Sequence, residues 1–205
     1  MYTSILLLCL ALNLADTLWT VNFGTSPSGW TAGSQWLWQD DSAYLGIMAH
    51  PFASGYDSES DSLLSPFFII PSSADSLVVV FDHLWWGYGS SHAAAEWAQS
   101  TSTLVMRNVS ESGQVFQLWE LTGFCQSAMD VYYSVVDSGE VSCPVLGASP
   151  GDTVYFQYTG LVEAYVDYMS AYAYIEWDLY SFLLLSYQTQ QSFVPMTWGS
   201  VKATF

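Results

Sequence analysis

Three carboxylates at alternate positions in GYDSESDSLLSPFFII are the first residues whose type and spacing point to chemistry. Asp57, Glu59 and Asp61 stand directly before an apolar run. Calcium binds about six to eight oxygens, and acids at alternate positions of a loop can supply them. The spacing is not that of an EF-hand loop, because Ser62 occupies the glycine position and Phe68 the position of the bidentate glutamate. The stretch is therefore a candidate calcium site, and the alternative is a solvated strand edge whose charges oppose aggregation.

Other residues of types that bind metals are scattered along the chain. Asp40 and Asp41, in WQDDSAY, form a second and weaker candidate cation site. The three histidines, His50, His83 and His92, do not follow any ligand spacing. For His83, which stands in a strand-like run, the sequence favours a hydrogen-bonded structural role over a metal-binding or general-base role.

The stretch EWDLYS raises the question of catalysis, because it begins like the E-x-D-x-x-E motif of retaining glycosidases. Such enzymes need two carboxylates about 5 Å apart, one as nucleophile and one as acid. Glu176 and Asp178 match the first two positions, but Ser181 replaces the residue that would protonate the leaving group. The sequence also lacks an H-E-x-x-H motif and a glycine-rich phosphate loop. A hydrolase is therefore the least favoured of the functions considered.

Aromatic side chains offer another route to function. The run HLWWGYGSSH places Trp85, Trp86 and Tyr88 at a glycine-rich turn. Neighbouring residues of a strand point to opposite faces, so at most one of the two tryptophans is in the core. The outward one forms a candidate ligand-binding surface with Tyr88, because a rigid ring stacks on a sugar at low entropic cost. The alternative for each tryptophan is a core position. Aromatic residues also share a face at Trp36 and Trp38, and at Tyr172, Tyr174 and Tyr180.

The charge balance excludes several partners. The chain carries 19 acids but only two cationic side chains, Arg107 and Lys202, and its formal net charge is -17. Nucleic acids and anionic lipids are excluded, because binding to phosphates requires cations that displace their counterions. A metal cation or a neutral partner such as a glycan fits this surface better.

The N-terminus resembles a secretory signal peptide. Residues Ile5 to Leu14 form a short apolar block, and Ala15 is a small residue at the predicted cleavage position. The block is shorter than the roughly 18 apolar residues that a membrane span requires. We therefore predict a signal segment over residues 1–15 and a secreted or cell-surface location for the rest of the chain. The alternative is an N-terminal core strand.

Removal of this segment would leave two of the three cysteines, Cys125 and Cys143. Two cysteines in an exported chain favour one disulfide, which stabilises by on the order of 3 kcal/mol through the entropy of loop closure. The alternative is two buried thiols. The spacing of the pair excludes a metal site of the CxxC type.

Apolar residues alternate with polar residues along most of the chain, which indicates β-strands. Polar turns such as TSPSG, PSSAD, SESG and ASPGD separate the strand-like runs, and long stretches with helical periodicity do not occur. We therefore predict an all-β protein, an antiparallel β-sandwich of the jelly-roll type, over residues 16–187. A polar break and a C-terminal tail follow over residues 188–205. The predicted inward side chains include Trp19, Val21 and Phe23, and Ala173, Ile175, Trp177 and Leu179.

Four stretches carry a family resemblance: GWTAGSQWLWQDDSAYLGIMA, DSLLSPFFIIPSSADSLVVVFDH, ESGQVFQLWEL and SPGDTVYFQY. Over residues 18–187 the chain resembles jelly-roll modules of the MAM-like and galactose-binding-like type, which occur in many secreted bacterial proteins. The resemblance implies a jelly-roll fold and export. In those modules two late acids are adjacent, whereas Trp177 separates Glu176 from Asp178 here. A calcium-ligand role is therefore not carried over to this pair.

These features predict a secreted, non-catalytic binding module for a glycan or another cell-surface ligand, with calcium as a candidate cofactor. The alternative is a structural or adhesive subunit of the cell surface or extracellular matrix, whose partners are surface proteins. Exposed aromatic residues in a concave groove favour the first function, and a flat or edge surface favours the second. Asn108, in the sequon NVS, is a glycan acceptor in a glycosylating host.

Overall fold

The computed structural model of the protein describes residues 14–24, 27–51, 54–126 and 130–188. All regular secondary structure in these ranges consists of β-strands, which confirms the predicted all-β class. Residues 1–13 of the predicted signal segment and residues 189–205 of the predicted tail lie outside the described residues. The described part of the chain has no helix long and apolar enough to cross a membrane. The strands are β1 (Leu14–Asn22), β2 (Thr31–Ala32), β3 (Trp36–Trp38), β4 (Ala43–Ala49), β5 (Gly55–Leu64), β6 (Phe68–Ile69), β7 (Ser76–Ser91), β8 (Trp97–Asn108), β9 (Gln114–Gln126), β10 (Val131–Val145), β11 (Thr153–Val166) and β12 (Ala171–Gln188).

The first sheet, sheet A, has six strands in the order β10-β7-β12-β4-β3, with β1 also paired to β12. Its central strand is β12, which pairs with β7 from Ala171 opposite Ser91 to Tyr187 opposite Ser76. On its other side, β12 pairs with β4 along its first half and with β1 along its second half. The strands β4 and β1 therefore follow one another along the same edge of β12.

The second sheet, sheet B, has six strands in the order β2-β5-β11-β8-β9, with β6 also paired to β11. All strand pairs in both sheets are antiparallel. β2 covers only Leu63 and Leu64 of β5, so most of β5 is an edge strand. The two sheets enclose one hydrophobic core, and the predicted antiparallel sandwich of the jelly-roll type is confirmed.

The core follows from the alternation of side chains along the strands. β11 alternates between buried and half-buried residues along its whole length. Apolar side chains on the inner faces of both sheets are removed from water, which is the main stabilising contribution to such a fold. The predicted inward residues Ala173, Ile175, Trp177 and Leu179 are fully buried, as is Phe23. The largest fully buried side chains are Trp85, Trp177, Tyr158, Phe23, Phe81, Phe156 and Phe182.

A β-bulge in β12 lies between Leu179 and Ser181. Odd-numbered residues point inward before it, whereas Phe182 and Leu184 point inward after it. The additional residue is Tyr180, whose carbonyl oxygen accepts a hydrogen bond from the backbone N–H of Phe23 at 3.0 Å. Because one extra residue shifts the alternation by one position, the bulge keeps one side of this 18-residue strand in the core.

Trp85 is a core residue, which corrects its prediction as part of a ligand-binding surface. Its side chain is fully buried, and its indole N–H donates a hydrogen bond to Ser102 Oγ of sheet B at 2.7 Å. The indole lies over Gly87, where a Cβ atom would be 2.1 Å from the ring. A side chain at position 87 would therefore displace the largest aromatic group that joins the two sheets at this level.

We expect Gly87→Ala to destabilise the protein by about 1–3 kcal/mol, the usual cost of overpacking a close-packed core. Urea unfolding of the variant, monitored by tryptophan fluorescence, measures this loss. Ser138→Ala, at an exposed position of β10, is the control and should leave the unfolding midpoint unchanged. A variant at position 87 as stable as the wild type would show that Trp85 can move away from the strand without loss.

The predicted disulfide between Cys125 and Cys143 is not present, and both residues are buried free thiols. Cys125, at the end of β9, lies beside Tyr133 near the start of β10. Cys143 lies ten residues farther along β10, which corresponds to roughly 30 Å of extended strand. A disulfide requires Cα atoms within about 7 Å. Burial raises the pKa of both thiols, which makes them unreactive.

Asn108 is buried, and this corrects its prediction as a glycan acceptor on an exposed hairpin. Its side-chain amide donates to Asp152 Oδ2 at 2.7 Å and to the carbonyl oxygen of Gly147 at 3.3 Å. The amide therefore joins the end of β8 to the β10–β11 connection. A glycan would replace one of the two hydrogens on this nitrogen, so at least one of these hydrogen bonds would be lost.

Glu96, in the β7–β8 connection, joins two loops at one end of the sandwich. Its buried carboxylate accepts backbone N–H groups of His92, Tyr168, Met169 and Ser170 at 2.5–3.3 Å. Burial alone would raise its pKa, but the four donors outweigh that effect and hold the pKa of Glu96 below its usual value. The ionised carboxylate is therefore the form that the folded protein stabilises.

We expect Glu96→Gln to lower the free energy of unfolding by about 1–3 kcal/mol at neutral pH, because the neutral amide is a weaker acceptor for four N–H groups. A depressed pKa in the folded state contributes stability above the unfolded pKa of about 4.3, and that contribution disappears as the pH falls through the folded pKa. The difference between wild type and variant should therefore shrink on acidification. Chemical unfolding at neutral pH and at about pH 3 measures it, with the exposed Glu120→Gln as control. If the stability difference between wild type and Glu96→Gln did not change with pH, the ionised form of Glu96 would not be the source of the stabilisation.

Candidate ligand-binding face

The outer face of sheet A carries the aromatic residues that the sequence singled out. In the register of β7 and β12, Tyr88 lies opposite Tyr174, and Trp86 lies opposite Glu176. Residues two apart on a strand share a face, and directly opposite residues have Cβ atoms about 5 Å apart. These side chains therefore form one continuous surface. We call it the aromatic face, and its members are Tyr44, Trp86, Tyr88, Tyr172, Tyr174 and Glu176.

Ring contacts join the aromatic side chains of this face. The centroid of Trp86 lies 6.2 Å from that of Tyr174, with the planes at 90°, and 6.3 Å from that of Tyr88. Tyr88 and Tyr172 are 5.4 Å apart. The indole N–H of Trp86 donates to Ser134 Oγ of β10 at 3.1 Å, which fixes the orientation of the ring. The rings are therefore held in place before any ligand binds.

Tyr44 joins the aromatic face from β4 because Gly46 leaves room for it. A Cβ atom at Gly46 would lie 2.6 Å from the Tyr44 hydroxyl oxygen and 3.0 Å from a ring carbon. The ring thus lies across the backbone of its own strand, and its hydroxyl reaches Glu176 Oε1 at 3.5 Å. Partial burial is the main cause that raises the pKa of Tyr44, so the hydroxyl remains a neutral donor.

Two carboxylates of β12 lie among these rings. The Tyr174 hydroxyl donates to Glu176 Oε1 at 2.6 Å. Burial and this bond to a carboxylate both raise the pKa of Tyr174. Asp178 accepts a hydrogen bond from Ser42 Oγ at 2.7 Å. Burial raises the pKa of Asp178, and the nearby charges of Asp41 and Glu176 raise it further. The face therefore combines flat apolar rings with hydrogen-bond acceptors of negative charge.

Of the predicted ligand-binding residues, Trp86 and Tyr88 are on this face and Trp85 is not. Tyr44 and Glu176 were not predicted as parts of the site. The alternation in AYLGIMA places Tyr44 and Gly46 on one side of a strand, and that signal was available. The position of β4 beside β12 could not be predicted, because pairing between distant strands is not encoded in local periodicity.

Two of the three predicted calcium ligands of β5 accept hydrogen bonds from backbone N–H groups. Asp57 Oδ2 accepts from the N–H of His50 at 2.8 Å, and Asp61 Oδ2 accepts from the N–H of Gln35 at 2.5 Å. Both acids lie on the side of β5 that faces sheet A, as does Glu59, because their partners on β11 point inward. The two carboxylates therefore hold loops of sheet A against the edge of sheet B.

The weaker candidates, Asp40 and Asp41, are exposed in the β3–β4 connection. In the described residues, groups of three or more His, Cys, Asp or Glu side chains arranged to hold a metal ion do not occur. Calcium binding stays a prediction from the sequence.

We expect Asp57→Ala and Asp61→Ala each to lower the free energy of unfolding by about 1 kcal/mol, the typical value of one hydrogen bond. Glu59→Ala, at an exposed position between them, removes the same charge and should have a smaller effect. Urea unfolding with and without millimolar calcium, at matched ionic strength, makes the comparison. A stabilisation by calcium that both substitutions abolish would contradict the loop-binding role and support the cation site.

The histidines occupy three unrelated environments. His83 is buried between Phe81 and Trp119, with Nε2 3.4 Å from Asp137 Oδ2. Burial lowers the pKa of His83, so the ring is neutral in the folded protein. His92 Nδ1 lies 2.7 Å from Asp130 Oδ1, at the same end of the sandwich as Glu96. His92 Nε2 also lies 3.4 Å from Ser90 Oγ, so Ser90, His92 and Asp130 form one connected set. The ring centroid of His50 lies 6.3 Å from that of Tyr172, at the border of the aromatic face.

Comparisons with known proteins give distant likenesses of structure only. No protein-family model and no curated protein sequence matches the chain. A mutant of the carbohydrate-binding module CBM29-2 aligns with a TM-score of 0.28 at 13% identity, over 82% of this chain and 90% of its own. The CBM22-1 xylan-binding domain of Paenibacillus barcinonensis Xyn10C aligns with a TM-score of 0.26 at 15% identity, over 88% of this chain and 100% of its own. Likenesses this weak do not carry an argument about function, and membership of the MAM-like or galactose-binding-like modules stays a prediction.

Proposed function

We propose that the protein is a secreted, non-catalytic binding module that holds a glycan on the aromatic face of sheet A. The observation that carries the proposal is the set of ring contacts linking Trp86, Tyr88, Tyr172 and Tyr174 across two strands. Sugar rings present flat C–H surfaces, and rigid aromatic rings bind such surfaces with little loss of side-chain entropy. Hydroxyl groups of a glycan would find acceptors in Glu176 and Asp178 beside the rings.

The exposure of Trp86 is the strongest argument against a purely structural role for these rings. It retains 37% exposure in the folded chain, whereas Trp85, its neighbour in sequence, is fully buried. More than a third of the Trp86 surface therefore stays in contact with water, where a ligand can reach it. The pairing with Ser134 and the contact with Tyr174 nevertheless fix its position. A fixed and exposed aromatic ring is the usual anchor of a binding surface.

The charge of the described surface argues against anionic glycans. Arg107 is the only lysine or arginine among the described residues, and it lies on β8 of sheet B. Its guanidinium donates to Gln157 Oε1 at 2.8 Å, on the outer face of that sheet. Uronic acids and sulfated sugars would therefore meet carboxylates at the aromatic face without a compensating cation.

A binding role rather than catalysis is part of the proposal. Ser181 has a hydroxyl group where the motif needs the carboxylic acid that protonates the leaving group, so the stretch EWDLYS does not complete the glycosidase motif. The residues 147–151, GASPG, fit a G-x-S-x-G pattern, but they form the turn between β10 and β11. In the described chain no helix follows this turn, so it lacks the strand–turn–helix geometry of a nucleophile elbow. Export is proposed from residues 1–15 alone.

A second candidate function, an adhesive or structural subunit, is favoured by the outer side of β10. This edge strand exposes 71% of Tyr132 and 63% of Val136, which lies opposite Trp86. Exposed apolar residues on an edge strand can pair with another protein chain. This candidate function requires that the partner binds to Tyr132 and Val136 of β10 rather than to the aromatic face. Val136→Ser would then abolish binding of the partner.

We expect Trp86→Ala and Tyr88→Ala each to weaken glycan binding by about tenfold or more, as removal of a stacking aromatic anchor does. A glycan array identifies the ligand, and isothermal titration calorimetry measures the affinities. Phe124→Ala, which removes an exposed ring from the outer face of sheet B, is the matched control and should bind like the wild type. Circular dichroism confirms folding. Equal losses in all three variants, or binding unchanged by Trp86→Ala, would contradict the proposed site.

A further inference from the structure

We propose that the aromatic face prefers glycans with free amino groups, such as β-1,4-linked glucosamine, and that Glu176 pairs with the ammonium group. This inference rests on the proposed function and names the substrate class of the same surface. The occupant is thus a cationic amino sugar rather than a neutral or acidic one.

The position of Glu176 within the ring cluster is the first argument. It lies on β12 opposite Trp86 of β7, and two residues from Tyr174 on the same face. Its other neighbour across the sheet is Gly46 of β4, over which the Tyr44 ring lies, so Glu176 has an aromatic ring on this side as well. A sugar stacked on Trp86 or Tyr174 would therefore place its ring substituents within reach of this carboxylate.

The orientation of the Glu176 carboxylate is the second argument. The hydroxyls of Tyr174 and Tyr44 both hydrogen-bond to Oε1, at 2.6 and 3.5 Å. Among the described residues none donates a hydrogen bond to Oε2. The two hydroxyls hold one oxygen in place, so the other is free to accept a charge-assisted hydrogen bond, which is stronger than a neutral one.

The surrounding charge is the third argument. Asp41, Asp82 and Asp178 all act on Tyr180 of this outer face, and their charges raise its pKa together with its partial burial. With Glu176 they give the face four carboxylates, whereas Arg107 lies on the opposite sheet. A cation would be attracted to such a face. An ammonium group that lies over Trp86 or a tyrosine ring also gains a cation–π interaction.

A neutral glycan uses these features less fully. Its hydroxyls can hydrogen-bond to Glu176, but they do not compensate the negative charge of the face. An N-acetylated amino sugar differs from the free amine by an acetyl group on the C2 nitrogen. This acetyl group removes the positive charge. Three oligosaccharides with the same linkage but different groups at C2 therefore separate the contribution of ring stacking to affinity from that of charge.

The test compares three hexasaccharides of β-1,4-linked sugars, which carry a hydroxyl, an acetamide or an amine at C2: cellohexaose, hexa-N-acetylchitohexaose and the glucosamine hexamer. Calorimetry at about pH 6, where an amine is protonated, gives the three affinities. We expect the amine to bind about tenfold more tightly than the hydroxyl analogue, an advantage that salt reduces. Glu176→Gln should remove that advantage, so that the variant binds the amine and the hydroxyl analogue with affinities within a factor of about two of each other. Glu120→Gln, which removes one charge from β9 of sheet B, is the control and should retain the advantage.

The outcomes separate this inference from the proposed function. If all three hexasaccharides bind equally, and Trp86→Ala abolishes binding, the amine preference is wrong and glycan binding stands. If the preference falls equally in Glu176→Gln and Glu120→Gln, it reflects the general charge of the protein and overturns the role of Glu176. If none of the three binds, and an array of neutral and acidic glycans is also negative, both proposals fail.

Discussion

The ladder between β7 and β12 is the constraint on which the rest of the structure depends. These are the two longest strands, and they pair from one end of the sandwich to the other. On its other side β12 pairs with β1 and β4. This one strand therefore fixes the position of the five other strands of sheet A, directly or through a neighbour. Any shift in this ladder by one residue would turn its inward tryptophans outward. The bulge at Tyr180 is the one place in β12 where such a shift occurs, and the fold uses it to keep both halves of the strand in the core.

The same ladder connects stability with binding. Trp85 and Trp86 are neighbours in the chain, yet one joins the two sheets through Ser102 and the other lies on the aromatic face. On β12, Trp177 is buried between Glu176 and Asp178, which point outward. The core on the inner side therefore fixes the spacing of the rings on the outer side. A binding surface on a paired strand loses less entropy when it binds than one on a loop, because its backbone is already ordered.

Much of the fold was readable from the sequence, because alternation along a strand is local information. The inward residues of β1 and β12 and the all-β class follow from it directly. The bulge is not encoded in this way, because the alternation of buried residues changes phase at Tyr180 although the strand itself continues to Gln188. The prediction of a disulfide was wrong for a related reason. It rested on the number of cysteines, whereas the distance between Cys125 and Cys143 depends on strand length and sheet order. Asp57 and Asp61 were identified as special residues, but only the tertiary structure shows that their partners are backbone N–H groups of sheet A.

The pairing of β1 with the end of β12 has a mechanical consequence. Leu14 and Gln188 are opposite one another in this antiparallel pair, so the described chain enters and leaves the sandwich at one corner. Tyr174 lies roughly 45 Å away along β12. Tension applied between these two ends would break the hydrogen bonds of the β1–β12 pair one after another. It would not load all of them at the same time in shear. The strand pairs that hold the rings of the aromatic face would be loaded last, so a partial detachment of β1 would leave this face intact.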